Sequence, residues 1–432
     1  MNRNMAVGVV LAVMVVSLGA SAELQNVQVG GSLRIRGLIQ SGLIPANDNV
    51  VEQRTRLNMK GDFTENVSAF IEFDDYGKWG DGFRSDYLTG VDMRPNGADK
   101  VNVYQAYIDV KEIGGTPLSL RAGRQEIVLG SGWLIGNNED KLAFTGLSFD
   151  ALHLTYVTEK LTAGAFYARL AAGSPEDAHG NADLYTAYVN YTQSESFALL
   201  GYWILVHDPL NPAPGYDATN LHTVGLRANG AVGAFDYDAE LAYQFGNADR
   251  VGIDFDDPHA SFDNLAGTVE VGYTFDCPWK PKVSLGAVYF GGEDRRDDAK
   301  CREPNHASVS FNRLFSDLEY CYLDSTELSN CWMGHGGVEI APADKLSGSL
   351  TLCHIQAVDN GEIGSSDLGW ETGLLATYEY TKDLSFEAAW YHWFRGDGAK
   401  EGNYVVSNGL DSTAGLFKDH VDYMYLEAKV TF

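Results

Sequence analysis

The C-terminal stretch His420-Val-Asp-Tyr-Met-Tyr-Leu-Glu-Ala-Lys-Val-Thr-Phe432 alternates strictly between apolar and polar residues. Phe432, Val430, Ala428, Leu426 and Met424 fall on one face; Thr431, Lys429, Glu427, Tyr425 and Tyr423 fall on the other. Successive side chains of a strand point to opposite sides, so this segment has one greasy and one wet surface. About ten residues of such a strand cross a bilayer, with lipid outside and water inside. Few other environments suit a strand of this length and pattern.

The period-two pattern recurs along the chain, and no 3.6-residue pattern competes with it. In Phe235-Asp-Tyr-Asp-Ala-Glu-Leu-Ala-Tyr-Gln-Phe245, the odd-numbered residues are mainly apolar, while Asp236, Asp238, Glu240 and Gln244 are polar. Next, Val269, Val271, Tyr273 and Phe275 oppose Thr268, Glu270, Thr274 and Asp276. Such runs predict strands near 26–41, 52–63, 67–76, 100–112, 116–130, 147–157, 160–171, 183–193, 196–207, 219–230, 233–246, 263–276, 281–292, 332–342, 344–358, 367–381, 383–395 and 420–432. The count is about eighteen, an even number. Short connections such as 64–66, 114–115 and 158–159 alternate with long ones such as 77–99, 131–146, 247–262 and 293–331. That parity is expected of an all-β, antiparallel up-and-down transmembrane barrel with periplasmic turns and external loops.

Residues 1–22 read as a secretory signal peptide: Arg3 is the positive n-region, Met5 to Leu18 the apolar h-region, and Ala20-Ser21-Ala22 the small-residue cleavage site. An uncleaved anchor is the alternative, but the run is short for a membrane helix. Residues 23–432 then form one barrel domain, expected in the bacterial outer membrane. No other segment approaches 18 consecutive apolar residues. Alternation also reconciles membrane residence with a negative mean hydropathy. The formal charge of −28 argues against nucleic acid as a partner.

Five cysteines, Cys277, Cys301, Cys321, Cys331 and Cys353, lie in the last third. A disulfide among Cys301, Cys321 and Cys331 would suit an oxidising compartment. Zinc-type spacing is missing. The acidic runs 254–257 and 293–298 match no defined Ca²⁺ loop, so neither metal nor cofactor is expected.

A barrel of this size leaves a passage unless loops plug it, and function must be sought on its inner face. The inward set is expected to include Arg34, Arg36, Arg54, Arg56, Lys60, Arg121, Arg124 and, on the closing strand beside the first, Lys429. Asp74 and Glu126 join them, as do Glu72, Asp109, Asp238, Glu240 and Glu270. Guanidinium rows bind carboxylates through a two-pronged fork and so favour anionic solutes. The plainer reading is a ladder of Arg–acid pairs that stiffens the wall. Trp370, Tyr378, Tyr380, Tyr289, Trp390, Tyr423 and Phe432 are candidates for interfacial aromatic girdles, Tyr423 being on a polar face that would otherwise line the lumen.

One segment carries a family resemblance. Tyr104-Gln-Ala-Tyr107, Leu120-Arg-Ala-Gly-Arg-Gln-Glu126, Gly130, Leu134-Ile-Gly136 and Ser148-Phe-Asp150 resemble the most recognisable stretch of the alginate-export outer-membrane proteins. Phe315 and His392-Trp-Phe394 are weaker echoes. The resemblance implies a monomeric eighteen-stranded barrel whose Arg-lined lumen passes a polyuronate, with Arg121 and Arg124 in its selectivity wall. The apolar final residue likewise resembles the closing strand of bacterial outer-membrane barrels. That implies contact with outer-membrane lipid and recognition of the last strand by barrel-assembly machinery, with a periplasmic export partner. The expected function is diffusion of an anionic or neutral saccharide. An uptake porin for small sugars or carboxylates and a loop-based receptor or adhesin are the alternatives. An enzyme is not expected: the ten His are scattered and no Gly-x-Ser-x-Gly turn stands out.

Overall fold

Alternation determines the facing of each strand, and hydrogen-bond closure determines the shape. The computed structural model describes residues 24–43, 48–80, 101–139, 144–172, 180–209, 218–247, 261–292, 308–322, 328–358, 365–401 and 417–432. The strands are β1 (Gln25–Leu43), β2 (Asp48–Thr64), β3 (Val67–Lys78), β4 (Asn102–Val110), β5 (Leu118–Gln125), β6 (Phe149–Val157), β7 (Leu161–Ala171), β8 (Ala182–Ser194), β9 (Phe197–Asp208) and β10 (Thr219–Val232). There follow β11 (Phe235–Asn247), β12 (Ser261–Thr274), β13 (Lys282–Phe290), β14 (Ser308–Val309), β15 (Cys331–Ala343), β16 (Leu346–Ala357), β17 (Asp367–Glu379), β18 (Leu384–Arg395) and β19 (Phe417–Thr431). All nineteen belong to one sheet. Setting aside the two-residue β14, which pairs parallel with β12 from within a loop, eighteen antiparallel strands form the wall.

The sheet closes where β19 meets β1, in register from Ser32 opposite Thr431 to Ser41 opposite Asp422. Gly31 and Phe432 exchange backbone hydrogen bonds at the seam. Closure leaves no unpaired edge in lipid. The outward set is apolar as expected: Phe235, Leu241, Tyr243 and Phe245 on β11, and Met424, Leu426 and Phe432 at the end of the chain, are all exposed. Trp370, Tyr378, Tyr380 and Tyr289 are exposed too. Tyr423 is not: it is buried on the inner face and stacks on Tyr322 at 4.1 Å. Its place in an alternating strand, among polar neighbours, decides this.

The expected strand 116–130 stops short. Gly123 sits at φ 131°, and a Cβ there would meet the Ala106 carbonyl oxygen at 2.2 Å. Just beyond it, the Gln125 amide donates to the carbonyls of Gly123 and Ala151, both at 3.1 Å. The chain then leaves the wall and turns into the barrel. A short apolar run, Ile127-Val-Leu129, looks like strand by pattern alone because periodicity cannot tell a wall segment from a buried one.

Two lumenal segments result, 126–139 with 144–148 from the β5–β6 connection, and 308–322 from the β13–β15 connection. They lie against each other through the Ile135–Phe315 bridge, with Gly136 N–H donating to Phe315 O at 2.9 Å and Asp317 N–H to Gly132 O at 2.8 Å. A Cβ at Gly136 would fall 2.1 Å from that of Asp317, so only glycine permits the approach. Trp133, fully buried, packs against Phe290 and Phe311, which also meet each other. Around it the inward residues of β6 to β9 near the long loops are apolar: Phe149, Ala151, Phe166, Leu184 and Ile204 are all buried. Here the expectation of a wholly hydrophilic lumen gives way. Inward positions covered by a loop segment see protein rather than water, and apolar packing stabilises them.

Cys321, Cys331 and Cys353 are buried and Cys277 is exposed. Cys301 and the acidic runs 254–257 and 293–298 lie outside the described residues.

Replacing Trp133 with Ala removes the central ring of this lumenal core, at a cost of about 3–5 kcal/mol for a large buried side chain. The expected result in planar bilayers is a larger single-channel conductance, with the heat-resistant migration of the folded barrel on gels retained. An unchanged conductance would mean that the two segments do not limit ion flow.

Candidate functional site: the basic wall and the segments that cover it

On β1 and β2 the inward positions are Arg34, Arg36, Glu52, Arg54, Arg56, Asn58 and Lys60. Arg34 stands directly opposite Arg54, and Lys429 of β19 opposite Arg34 on its other side. Like charges facing each other across strands repel, so each guanidinium needs its own acid. Arg34 donates from Nε and Nη2 to Glu427 at 2.6 and 3.0 Å. Arg36 donates to Glu52 at 2.9 and 3.2 Å. Arg56 donates from Nε to Asp74 of β3 at 2.9 Å. These pairs are buried, where an unmatched charge would be costly.

Among the described residues Arg54 has no such partner on the wall, and it takes one from the loop. Its Nη2 donates to Glu139 at 2.9 Å and its Nη1 to the Phe144 carbonyl at 3.2 Å. Arg56 Nη1 grips the other Glu139 oxygen at 2.6 Å. The Phe144 ring lies beneath the guanidiniums of Arg34 and Arg36, at 4.8 and 4.5 Å from its centroid, and Arg56 lies over Tyr104 at 3.7 Å. The basic wall therefore holds the β5–β6 segment against itself. Burial alone would raise the pKa of Glu139, but Arg54 and Arg56 hold its carboxyl below the ordinary range. Glu126, where burial prevails over hydrogen bonds from Tyr104 and Asn137, is pushed up instead.

A cavity of about 420 Å³ remains beside this wall. Arg34, Arg36 and Lys429 line it from β1 and β19, and Glu319, Glu387 and Glu427 contribute carboxylates. Tyr320, Tyr391 and Tyr425 supply aromatic surface. The lining is thus mixed in charge rather than uniformly basic. Such a surface offers forks for carboxylates, acceptors for hydroxyl groups and flat faces for sugar rings.

The remaining expected residues divide. Arg121 faces inward, donating to Asp109 at 2.8 and 3.0 Å and lying over Tyr107 at 4.1 Å. Asp74 is inward and buried. Glu126 is inside the barrel but on the loop, accepting from Tyr104 at 2.6 Å and Asn137 at 3.1 Å. Lys60 and Lys429 are inward, and neither has an ion-pair partner among the described residues. Arg124 is on the other side. It shares a face with Leu120 and Ala122 and pairs with Asp150, which shares the outer face with exposed Leu152 and Leu154. Positions 121 and 124 differ by three, and a period of two cannot place both on one face; Arg124 therefore does not belong to the lumenal wall.

Glu139, Phe144 and Tyr104 escape a reading by strand faces. Glu139 and Phe144 lie on a loop with no periodicity, and a bulge between Glu72/Gln105 and Phe73/Val103 turns Tyr104 inward beside Gln105. Among the described residues no cluster of three or more His, Cys, Asp or Glu is placed to hold a metal ion.

Comparison with known proteins agrees with this architecture. A family model described as alginate export matches residues 26–406. Among solved structures, OccK8 (OprE) of Pseudomonas aeruginosa is 12% identical, with a TM-score of 0.62 over 95% of this chain and 99% of that one. OccAB2 of Acinetobacter baumannii is 13% identical, with a TM-score of 0.60 over 96% and 99%. OpdK of Pseudomonas aeruginosa, determined with vanillate, is 11% identical, with a TM-score of 0.57 over 94% and 98%. Identities this low show a shared barrel fold and no more. No curated protein matches the chain.

Glu139→Gln keeps the shape of the anchor and removes its charge, leaving Arg54 and Arg56 under-neutralised at a cost of about 1–3 kcal/mol. Faster hydrogen exchange of residues 126–139 is expected, with strand amides unchanged. The depressed pKa gives the sign with pH: the anchor is intact above the ordinary carboxylate pKa and is lost as pH falls through the lower folded-state value. Protection of the loop that is indifferent to Glu139→Gln would contradict this anchoring.

Proposed function

The chain belongs to the alginate export family and is an outer-membrane channel, and from that premise we propose that it passes an anionic, uronate-like saccharide by diffusion along the wall of β19, β1 and β2. The observation that carries this reading is the cavity where Arg34, Arg36 and Lys429 face Glu319, Glu387 and Glu427 beside tyrosine rings. A uronate unit has one carboxylate, several hydroxyls and a ring with an apolar face. The forks of Arg34 and Arg36 suit the first, carboxylates the second and Tyr391 or Tyr425 the third.

Conduction needs sites that attract a solute yet release it. A uniformly basic wall would trap a polyanion. Here each guanidinium already has a carboxylate partner, so a solute carboxylate displaces an internal one and gains only the difference between two similar ion pairs. This exchange argues for weak, repeated binding. Flux then follows the concentration gradient, and one closed chain suffices as the transporting unit.

A channel for small carboxylates is the second reading. The two lumenal segments narrow the passage, and the OpdK structure with vanillate illustrates a similar fold in the company of a small aromatic acid. Length dependence separates the two.

In planar bilayers, oligouronates of two to about six units are expected to block the current, increasingly with length, and neutral oligosaccharides of equal size much less. Arg34→Ala with Arg36→Ala should weaken that blockade about tenfold, equivalent to roughly 1.4 kcal/mol. It should also lower anion over cation permeability. Equal blockade by neutral and acidic oligosaccharides would refute an anionic cargo, and blockade by monomeric carboxylates alone would favour the second reading.

A further inference from the structure

Arg124 and Asp150 belong to the segment by which the sequence resembles its family, yet both face away from the lumen, so pore chemistry does not account for them. Their neighbours on the outer face extend the pattern. Asp150 lies opposite Arg124 on one side and Arg169 on the other. Arg169 lies opposite Asp183, Asp183 opposite His207, and His207 opposite Asn220. One row of polar side chains thus crosses six adjacent strands, β5 to β10, with the charge alternating from Arg124 to Asp183.

Facing is settled by what alternates with the row. Gln125, Phe149, Ala151, Ala168 and Leu184 are buried on the inner side. Further from the long loops, the outer face of the same strands continues with exposed Leu152, Leu154, Tyr185 and Trp203. Every member of the row lies within three residues of the strand end that leads to a long connection, at the end of the barrel opposite both termini. Charges on a lipid-facing surface are tolerated only near the interface. The row therefore lies where acyl chains give way to headgroups in the outer leaflet.

The groups are ordered but retain capacity. Arg124 donates to Asp150 at 2.7 and 2.9 Å and to the Val103 carbonyl at 3.1 Å, yet its side chain is 44% exposed and that of Asp150 54%. Arg169 is held by Asp183 and by the Tyr167 hydroxyl, which itself donates to Asp183 at 2.9 Å. Each terminal guanidinium nitrogen carries two N–H groups, so donors remain for an outside anion.

We propose that this row is a docking site for a phosphate-bearing glycolipid of the outer leaflet. Two guanidiniums on β5 and β7, with the exposed carboxylate of Asp150 on β6 between them, match a headgroup whose phosphates are spaced along a sugar backbone and bridged by divalent cations. Arg124 and Arg169 take the phosphates; Asp150 takes a bridging cation. The site lies outside the conducting path and is independent of the solute.

The test uses the mature channel in detergent micelles, with bound lipid counted by native mass spectrometry. Bisphosphorylated lipid A is expected to bind in preference to phosphatidylethanolamine, with millimolar inorganic phosphate unable to displace it. Arg124→Ala with Arg169→Ala should raise its apparent Kd about tenfold and leave single-channel conductance unchanged. Should that double variant fail to fold, Arg124→Gln with Arg169→Gln, which keeps hydrogen bonds to the aspartates, carries the same expectation. Affinity unaltered in the folded variant would overturn the proposal. So would equal binding of phosphatidylethanolamine, or displacement by inorganic phosphate, which would mark a free-anion site.

Discussion

Backbone closure is the constraint on which everything else in this molecule depends. In hydrocarbon no water is present to satisfy an amide or carbonyl, so a sheet survives there only if its first and last strands pair. The β1–β19 ladder meets that demand and brings Arg34 next to Lys429 and Glu427, residues nearly four hundred positions apart in the chain. The basic wall is therefore assembled from the two ends of the chain, and its Arg34–Glu427 pair exists only once the cylinder is complete, whereas Arg36–Glu52 and Arg56–Asp74 form within neighbouring hairpins.

Within the cylinder, charge and grease are segregated by strand rather than by depth alone. The sector from β19 through β5 carries Arg34, Arg36, Arg54, Arg56 and Arg121 with their acids, and Arg227, paired with Asp238 beside Glu240, is the exception across the barrel. The opposite sector presents buried aromatic and aliphatic side chains to the two lumenal segments. Trp133 and its neighbours hold those segments by burial, while Glu139 and Phe144 hold the near one to Arg34, Arg36, Arg54 and Arg56. The same cations serve as anchors for the loop and as part of the lining of the passage. This dual use explains why Arg34, Arg36, Arg54 and Arg56 are each matched by a carboxylate.

Much of this was legible in the residues. Two-face strands and the alternation of short and long connections revealed the cylinder, since lipid outside and water inside write their difference at every second position. Arg34, Arg36, Arg54, Arg56 and Asp74 could be given an inward facing by parity alone. Arg124, expected inward beside Arg121, instead faces outward, since residues three apart in a regular strand cannot share a face. Where reading by period failed, a loop had replaced solvent: Phe149, Phe166 and Leu184 are inward and apolar because protein covers them, and 126–130 left the wall at Gly123 and Gln125. Glu139, Phe144 and the inward turn of Tyr104 had no periodic signal, since a loop contact and a bulge obey no repeat.

The amino-acid sequence by itself determined the fold class, the strand number and the facing of regular wall positions, because those follow from local alternation and chain length. Only the tertiary structure decided which acid neutralises which arginine, that two connections turn inward to meet at Gly136, and that Arg124 aligns with Asp150 and Arg169 on the outer surface. Those outcomes depend on register between strands and on where a loop comes to rest. Each is a distance between residues remote in the chain, and no pattern along the chain records such distances.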